Sequence, residues 1–490
     1  MVFNSYVFVL VFVPLVTVLY HFINSRGFFT AAKAFLLMAS LFFYACDNPW
    51  ALIILILSIL VNFCIANFLI RPGDSRAFQK IFLILGLAVN ILVLIYFKYL
   101  GFFGDLANSL FKTNLTVRQV LLPLGISYYT FSQIAYLIDS YKDPATKDSL
   151  LDYALFVSFF PKITVGPIAF AGDMIPQFND SLRKKVNPDN IAGGLVIFAA
   201  GLAKKVLLAD NLAPYVTWGY ANIDDLGTIN ALIVMLAFTM QIYFDFSGYC
   251  DMASAVCLML NIDLPDNFLS PYTAVSVADF WKKWHITLTN FFTRYVYIPL
   301  GGNRKGKVRT YVNMFIIFFL SGLWHGAALT FVVWGLIHGV GISLSKLLKD
   351  RMAKSPKFLR QAGTFIFINI SWVFFRASSL NEAVSFLKQV FSFTFTPINI
   401  ALVAEATPDE MQLLQWIILN AGNKAPYLSG CIIIVGFLLI CTFISMYCKN
   451  ARVRLETLKL SGRTVVTTVI LLVMSILSLS GVTEFIYENF

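Results

Sequence analysis

The sequence has 490 residues, of which 58% are hydrophobic and 13% are charged, and its formal net charge is +11. Its mean hydropathy is +0.75, and so little polar surface cannot cover a water-soluble body of this size, which excludes a soluble globular protein. The basic residues fall in short clusters between apolar runs, a pattern typical of cytoplasmic loops rather than of a nucleic-acid-binding surface.

Apolar runs of membrane-spanning length, or close to it, recur along the chain. They cover residues 6–20, 35–44, 51–70, 81–99, 120–138, 191–208, 229–244, 312–323, 329–344, 365–375, 432–447 and 465–479. Residues 153–170 are also apolar, but Pro161, Lys162 and Gly166 interrupt them and predict a re-entrant segment. The predicted fold is an all-α, polytopic bundle of roughly 11–13 transmembrane and re-entrant helices around a central funnel. We expect one domain that spans residues 1–490.

Charged loops predict the orientation of the chain. Basic clusters at residues 71–80, 183–185, 346–360 and 449–463 are expected in the cytoplasm. Residues 377–427 form a predicted outward segment, because the few charged residues within 397–427 are mostly acidic and the stretch precedes an apolar run. The first part of this segment predicts an amphipathic helix with Ser378 or Ser379 as its N-cap.

The four histidines of the chain are the main candidates for chemistry. His325 and His338 lie within residues 310–345, which carry no charged side chain. A titratable ring in such a segment costs stability unless partners or a function compensate, so it indicates a functional site. His285 follows an aromatic and basic run, Phe280-Trp-Lys-Lys-Trp-His285. His21 ends the first apolar run and is expected to be solvated.

Each buried histidine also has a structural interpretation. For His325, a core hydrogen bond is as well supported as a functional role, although Gly322 and Gly326 beside it permit close approach of a backbone or ligand. For His285, the local sequence favours a helix anchored at the membrane interface. For His338, the flanking glycines four residues apart permit close helix packing and favour a structural role.

The sequence lacks the common catalytic and cofactor-binding motifs. No nucleophile elbow, metal-binding helix, Cys-x-x-Cys pair, phosphate-binding loop or dinucleotide fingerprint occurs. We therefore predict no bound metal and no permanently bound cofactor. Histidines without a matching serine or cysteine nucleophile suit a reaction in which the substrate supplies a hydroxyl and a histidine takes its proton.

Asp245 and Asp251 lie in an apolar run and must find partners or face a cavity. The hydroxyls of Tyr243, Ser247 and Tyr249 are the nearest candidate partners. A structural network ranks first, while a proton relay, a cation site and a carboxylate that orients a histidine remain open.

Five sequence blocks occur in a characteristic order. They are Tyr243-Phe-Asp-Phe-Ser-Gly248, Asn267-Phe268, Phe280-Trp-Lys-Lys-Trp-His-Ile286, Tyr297-Ile-Pro-Leu-Gly-Gly-Asn-Arg304 and Gly322-Leu-Trp-His-Gly-Ala327. Together they resemble the signature of the membrane-bound O-acyltransferases, and most closely that of the bacterial alginate O-acetyltransferase branch. The resemblance covers essentially the full chain, with a signature core at residues 120–345.

The resemblance implies a set of site residues. His325 would be the catalytic histidine, acting as general base, and His285 the second important histidine, which orients the acceptor or stabilises the oxyanion. Trp324 and Trp281 would exclude water from the site. The implied substrate-binding residues are Trp324, Trp281, Lys283, Asp245, Asp251, Asn303 and Arg304.

The resemblance also implies the substrates and the location. The donor would be a cytoplasmic acyl-thioester, either acetyl-coenzyme A or the phosphopantetheine arm of a carrier protein. The acceptor would be an extracytoplasmic, alginate-like polysaccharide, reached directly or through a periplasmic SGNH-type acetyltransferase partner, and the protein would lie in the bacterial inner membrane. A D-alanyl or peptidoglycan O-acyl transferase of the same family, a polytopic transporter and a structural scaffold for polysaccharide export are the alternatives.

Overall fold

A computed structural model describes residues 1–71, 73–116, 120–143, 148–405, 426–481 and 485–489. Across these residues the protein is helical and contains no β-strand, only an isolated antiparallel bridge between Phe268 and Trp284. Eight of the described helices are long and apolar enough to cross a membrane, and two shorter apolar helices cover Phe29–Ala45 and Gly462–Leu477. The predicted all-α, multi-pass membrane fold is confirmed, while the central funnel stays a prediction.

The chain forms two compact units. The first comprises Met1–Phe198, Tyr249–Asp266 and Tyr487–Asn489, and the second is built from Ala199–Gly248 and Asn267–Ile486. Helices Pro188–Ala203 and Thr228–Met259 contribute residues to both units. The expectation of one domain over residues 1–490 stays a prediction.

The first unit consists mainly of helices from the amino-terminal part of the chain. They are α1 (Val13–Ser25, preceded by a π-helical turn at Phe8–Phe12), α2 (Phe29–Ala45), α3 (Pro49–Leu69), α4 (Arg76–Leu94, continued by a π-turn at Ile95–Tyr99), α5 (Leu100–Phe111), α6 (Ile126–Lys142), α7 (Leu150–Ser158), α8 (Ala171–Asn179) and the start of α9 (Pro188–Ala203). Helix α3 illustrates how they begin: the Asn48 side chain accepts hydrogen bonds from the first backbone N–H groups, and Pro49 occupies the first turn.

The predicted apolar run at residues 120–138 is only partly helical, because α6 begins at Ile126. Pro123 disfavours helix in the residue before it, and Gly125 adopts a left-handed conformation with φ 69°. A Cβ at Gly125 would lie 2.1 Å from the carbonyl oxygen of Ile163, so the close approach of these two backbones fixes the start of the helix. The predicted interruption of residues 153–170 is confirmed: α7 ends at Ser158 and irregular, buried backbone follows.

The prediction that His21 is solvated is wrong. His21 is buried within the first unit, and its Nε2 atom lies 2.8 Å from the carbonyl oxygen of Met259. The carbonyl belongs to residue 259 of the chain, at the end of α11 (Thr228–Met259), so the local sequence around His21 gave no sign of this partner.

The second unit contains the signature blocks. Its helices are the end of α9, a π-turn at Lys204–Ala209, α10 (Asp210–Ala221), most of α11, α12 (Val277–Trp281), α13 (Ile286–Phe292, followed by a π-turn at Thr293–Tyr297), α14 (Lys307–His325), α15 (Leu329–Leu347), α16 (Lys349–Ala353), α17 (Lys357–Arg376), α18 (Leu380–Val390), α19 (Ile400–Glu405), α20 (Pro426–Tyr447), α21 (Ala451–Glu456) and α22 (Gly462–Leu477). Helix α18 is the predicted amphipathic helix, and Ser379 is its N-cap, accepting from the Glu382 N–H. Much of the predicted outward segment, residues 406–425, lies outside the described residues.

Burial separates core helices from peripheral ones. In α11, 83% of the apolar stretch is buried, whereas in the helix Arg76–Phe111 only 17% is buried. An apolar helix that the protein leaves uncovered has hydrocarbon as its natural surroundings, while a helix that is apolar all round and covered belongs to the core. Helix α11 is therefore a core element, and the helix Arg76–Phe111 lies at the periphery.

Helices α14 and α15 pack unusually closely because glycines face each other. A Cβ at Gly322 would lie 2.3 Å from the Phe331 carbonyl oxygen, and one at Gly335 would lie 2.2 Å from the Phe318 carbonyl oxygen. The two backbones therefore meet without intervening side chains, as small residues allow at helix interfaces. This contact fixes the end of α14, where His325 is the last helical residue.

Candidate active site

His325 lies buried among aromatic rings of the second unit. Its ring centroid is 4.9 Å from that of Trp324, 5.0 Å from that of Trp334 and 5.3 Å from that of Phe375. All three contacts are edge-on, the arrangement that aromatic quadrupoles favour. The spaces beside Gly322 and Gly326 are filled by the backbone and ring of Phe331, so these glycines serve packing between protein segments.

His285 adopts an uncommon backbone conformation. Its φ of 43° and ψ of 52° are left-handed, and it stands immediately before α13. A residue other than glycine in this region is strained by about 1–3 kcal/mol, and such strain clusters at functional sites. The backbone holds it there, since the Leu269 N–H donates to the Lys283 carbonyl and the Ile286 N–H donates to the Asn267 carbonyl.

The His285 side chain has a polar partner inside this fully buried environment. Its Nδ1 atom lies 3.1 Å from Oδ1 of Asn267. Burial lowers the pKa of His285 to about 3, because a charged imidazolium is disfavoured away from water. The ring is therefore neutral at physiological pH.

The two histidines belong to one cluster. Their ring centroids are 6.1 Å apart, and Trp324 contacts both rings. Phe246 of α11 adds a further edge-on contact to His285 at 4.9 Å. We call His285, His325, Trp324, Trp334 and Phe375 the histidine site. The fold thus brings together residues that are forty positions apart in sequence.

A second layer of polar and aromatic groups supports the histidine site. The Trp281 indole N–H donates to Nδ1 of His338 over 3.1 Å. Trp334 joins the layers, because its ring contacts His338 at 4.8 Å as well as His325. Among the described contacts, the Trp281 ring touches neither His285 nor His325. It packs instead against Trp334, which contacts His325, so Trp281 supports the histidine site indirectly.

Several buried N–H donors lie in this aromatic region without a hydrogen-bond partner among the described residues. They are the indole nitrogens of Trp284, Trp334 and Trp372. A buried donor without a partner is costly and calls for an explanation. Of these, the Trp334 ring contacts His325, and an N–H donor at this position suits a substrate oxygen that carries partial negative charge.

A cavity of about 300 Å³ reaches the second layer. Its wall is mostly apolar, with exposed Lys282 at its rim. The lining residues are Ala278, Trp281, Lys282, Leu288, Thr289, Phe292, Thr293, Tyr297, Met314, Ile317, Phe318, Ser321 and Ile342. Ser321 precedes His325 by one helical turn, so the cavity adjoins the helix that carries the histidine.

The predicted basic and amide residues lie apart from His325. Lys283 pairs with Asp279 over 3.1 Å and is partly exposed. Asn303 and Arg304 are exposed in the turn before α14, whereas His325 ends that 19-residue helix. Such a helix is about 27 Å long, so Asn303 and Arg304 do not contact the imidazole.

The two aspartates of α11 belong to different units. Asp245, in the second unit, accepts a hydrogen bond from Lys205 over 2.8 Å and another from the Ile486 N–H over 2.9 Å. Lys205 also pairs with Asp210. These partners replace the hydroxyls that the sequence suggested for Asp245, and they agree with the first-ranked structural network. Asp251 is buried in the first unit.

Sequence reasoning missed Asn267, Trp334 and Phe375 as site residues. Asn267 stands in one of the signature blocks but was given no role, because its position opposite His285 depends on the pairing of residues 267–269 with residues 283–286. Trp334 and Phe375 lie on α15 and α17, and no local pattern distinguishes them from core residues. Within the described part of the chain, no three metal-binding side chains form a group that could hold an ion.

The chain is similar in sequence to known membrane acyltransferases. The model of the membrane-bound O-acyltransferase family matches residues 87–383. A peptidoglycan O-acetyltransferase of Helicobacter pylori is 41% identical, covering 79% of each chain. A probable alginate O-acetylase of Azotobacter vinelandii is 38% identical over 80% of this chain and 78% of its own. A teichoic acid D-alanyltransferase of Bacillus subtilis is 28% identical over 44% of this chain and 57% of its own.

Proposed function

Because this chain belongs to the membrane-bound O-acyltransferase family and is a multi-pass membrane O-acyltransferase, we propose that it transfers acetyl groups to an extracytoplasmic polysaccharide. The donor is a cytoplasmic thioester, either acetyl-coenzyme A or the phosphopantetheine arm of a carrier protein. The acceptor hydroxyl belongs to an alginate-like polymer or to a periplasmic SGNH-type acetyltransferase partner, and the protein works in the bacterial inner membrane. The similarity to alginate O-acetylases over four fifths of the chain supports this acceptor.

The single observation that carries the chemistry is the pair of histidines in ring contact inside an aromatic, uncharged wall. In the proposed reaction, His325 takes the proton from the acceptor hydroxyl while the hydroxyl oxygen attacks the thioester carbonyl carbon. The carbon–sulfur bond of the tetrahedral intermediate then breaks, and the thiolate leaves and recovers the proton from His325. The products are an ester and a free thiol, and His325 is neutral again.

The surrounding residues support this chemistry in three ways. Trp324, which contacts both histidines, excludes water that would hydrolyse the donor. Trp281 holds the second layer in place through its hydrogen bond to His338. Lys282, exposed at the cavity rim, and Lys283, Asn303 and Arg304, outside the histidine site, bind the anionic part of the donor.

Peptidoglycan is the second candidate acceptor. The Helicobacter pylori relative that carries this activity in its name is 41% identical to this chain, against 38% for the Azotobacter vinelandii alginate O-acetylase. The enzyme chemistry is the same for both polymers, because each offers a sugar hydroxyl. Distinguishing the two acceptors therefore requires measuring the ester content of each polymer.

The test is the base-labile ester content of each extracellular polymer in cells that carry His325→Ala. We expect the polymer that is the acceptor to lose its esters, with a fall of about 10²–10⁴-fold in acyl transfer, the range for loss of a general base. Protein abundance in the membrane is measured in parallel. The matched control is His21→Gln, which changes a buried histidine of the first unit; esters should persist there. Unchanged esters in every polymer with normal His325→Ala abundance would refute the proposal.

A further inference from the structure

We propose that Asn267 is a positioning residue that fixes His285 as the tautomer with its proton on Nδ1, so that Nε2 carries the lone pair. His285 then accepts a hydrogen bond from the acceptor substrate and does not donate one to the oxyanion. This inference rests on the proposed function and assigns His285 one of the two roles open to it.

The identity of the Asn267 atom follows from its other neighbours. The backbone N–H of Thr287 points at Oδ1 of Asn267 over 3.3 Å, and the Thr287 hydroxyl lies 2.9 Å from the same atom. A backbone N–H can only donate, so the amide atom at this position is the oxygen. The third neighbour of that oxygen, Nδ1 of His285 at 3.1 Å, must therefore be a donor as well.

The geometry that enforces this tautomer is rigid. Residues 267–269 and 283–286 are joined by the Leu269-to-Lys283 and Ile286-to-Asn267 backbone hydrogen bonds, and the bridge between Phe268 and Trp284 lies between them. Asn267 and His285 are both buried. Rotation of the Asn267 amide would bring its NH₂ group against the Thr287 backbone N–H, which cannot accept a hydrogen bond, and such a clash is costly in a buried site.

The tautomer decides what His285 offers to the substrate. A neutral imidazole has one N–H and one lone pair, and here the N–H is used by Asn267. The attacking hydroxyl gives its single proton to His325, so, with a sugar as the acceptor, Nε2 of His285 receives its hydrogen bond from a neighbouring hydroxyl of that sugar. This contact orients the sugar before attack, and positioning of this kind lowers the barrier by avoiding later reorganisation.

The tautomer is directly measurable because the chain has only four histidines. We would record nitrogen NMR spectra of the full-length protein in lipid nanodiscs, with ¹⁵N-labelled histidine, and assign His285 by loss of its signals in His285→Asn. We expect a protonated Nδ1 and an unprotonated Nε2 for His285. A protonated Nε2 in the unaltered protein would overturn the proposal, whatever the acyl-transfer assays show.

Two substitutions of Asn267 connect the tautomer to activity. Asn267→Leu keeps a similar shape but removes the acceptor oxygen, and we expect loss of the fixed tautomer and a fall of roughly 10–100-fold in ester formation per folded molecule, as for other groups that orient a functional histidine. Asn267→Asp keeps an acceptor oxygen and adds a negative charge, so the fixed tautomer persists and the pKa of His285 rises. Besides Asn267, the described contacts of the His285 ring are with the uncharged rings of Phe246 and Trp324 and with the titratable ring of His325, so the protonation of His325 also affects the pKa of His285.

The matched control is Asn369→Leu. Asn369 is also a buried asparagine of the second unit, and its Oδ1 accepts from the Thr239 hydroxyl over 2.7 Å rather than from a histidine. Its replacement should leave the His285 tautomer and the ester formation per folded molecule unchanged. Normal ester formation by folded Asn267→Leu, together with its loss in His325→Ala, would refute this inference and leave the proposed function standing. Should Asn267→Leu not fold, an unmoved His285 titration in Asn267→Asp would refute it instead.

Discussion

Two clusters of the second unit bury polar groups in opposite ways. The first, which we call the ion network, consists of Lys205, Asp210 and Asp245. Both carboxylates lie 2.8 Å from the Lys205 ammonium, and all three side chains are at most 9% exposed. The histidine site, in contrast, has no charged side chain among its defining residues, and aromatic rings surround its imidazoles.

This difference in charge indicates a structural role for the ion network and a catalytic role for the histidine site. In the ion network, opposite charges compensate one another, and the Ile486 N–H adds a further hydrogen bond to Asp245. In the histidine site, the N–H of Trp334 lacks a partner among the described residues. Charge compensation maintains a fold, whereas an aromatic environment with an available N–H donor suits a reaction in which charge develops and disappears. We therefore expect damage to the ion network to reduce stability, and damage to the histidine site to reduce activity.

Removing the cation should produce the largest loss of stability. Lys205→Met leaves Asp210 and Asp245 buried without their shared partner, and breaking a buried pair in this way costs about 3–5 kcal/mol. We expect a correspondingly lower free energy of unfolding in detergent micelles and less protein in the membrane. His325→Ala, measured in the same way, should change the stability much less than it changes ester formation.

Two controls sharpen this test. Lys204→Met removes the neighbouring lysine, which is only partly buried and lies 5.8 Å from the Tyr243 ring centroid, and it should have a smaller effect. The triple variant Lys205→Met, Asp210→Asn, Asp245→Asn removes all three charges and should recover part of the lost stability, since neutral groups are cheaper to bury. If Lys205→Met were as stable as the unaltered protein, the ion network would not have the role assigned to it.

Gly322→Ala should damage the histidine site through packing. The added Cβ would lie 2.3 Å from the Phe331 carbonyl oxygen, so α14 and α15 must separate, at a cost of about 1–3 kcal/mol for overpacking. His325 follows three residues later and moves with its helix. A displacement of about 1 Å costs on the order of 10²-fold in rate, so ester formation per folded molecule should fall strongly.

The matched control is Gly363→Ala in α17, where an added Cβ meets no atom within 4 Å. This substitution should leave ester formation unchanged and raise the stability by about 0.5–1 kcal/mol, because alanine favours helix over glycine. Equal activity of the two alanine variants would show that the close contact of α14 with α15 does not position His325.

The histidine site was partly predictable from the sequence. A histidine in an uncharged apolar segment is chemically conspicuous, and the blocks around His285 and His325 resembled a known family, so the sequence indicated both as candidates and the fold brings them into contact. The partners were not, because Asn267 meets His285 only through a pairing of non-helical segments, and Trp334 meets His325 only through the glycine contact of α14 and α15. Apolar periodicity encodes helices, but it does not encode which faces meet.

The fold shows the same limit. Most apolar runs became helices close to the predicted residues, since length and hydropathy decide whether a segment can cross a bilayer. Two predictions failed: the helix over residues 120–138 begins later than its apolar run, and His21 is buried rather than solvated. Each feature depends on a contact with a distant residue, Ile163 for α6 and Met259 for His21. Likewise, Asp245 found Lys205 rather than the hydroxyls beside it in sequence.

The smallest expected effect is a loss of folding stability in acid, because His285 is neutral in the folded protein. Its pKa is about 3 when folded, against a usual 6.5. Between these pH values His285 binds a proton in the unfolded chain but not in the folded protein. The contribution of His285 to the free energy of unfolding is therefore fully present above about pH 6.5 and decreases as the pH falls. From pH 7 to pH 5 this loss amounts to at most about 2 kcal/mol. His285→Asn, which tolerates the left-handed backbone and cannot titrate, should lose less stability over the same interval. Equal losses in both proteins would mean that His285 is charged or solvated when folded, and would remove the contrast with the ion network.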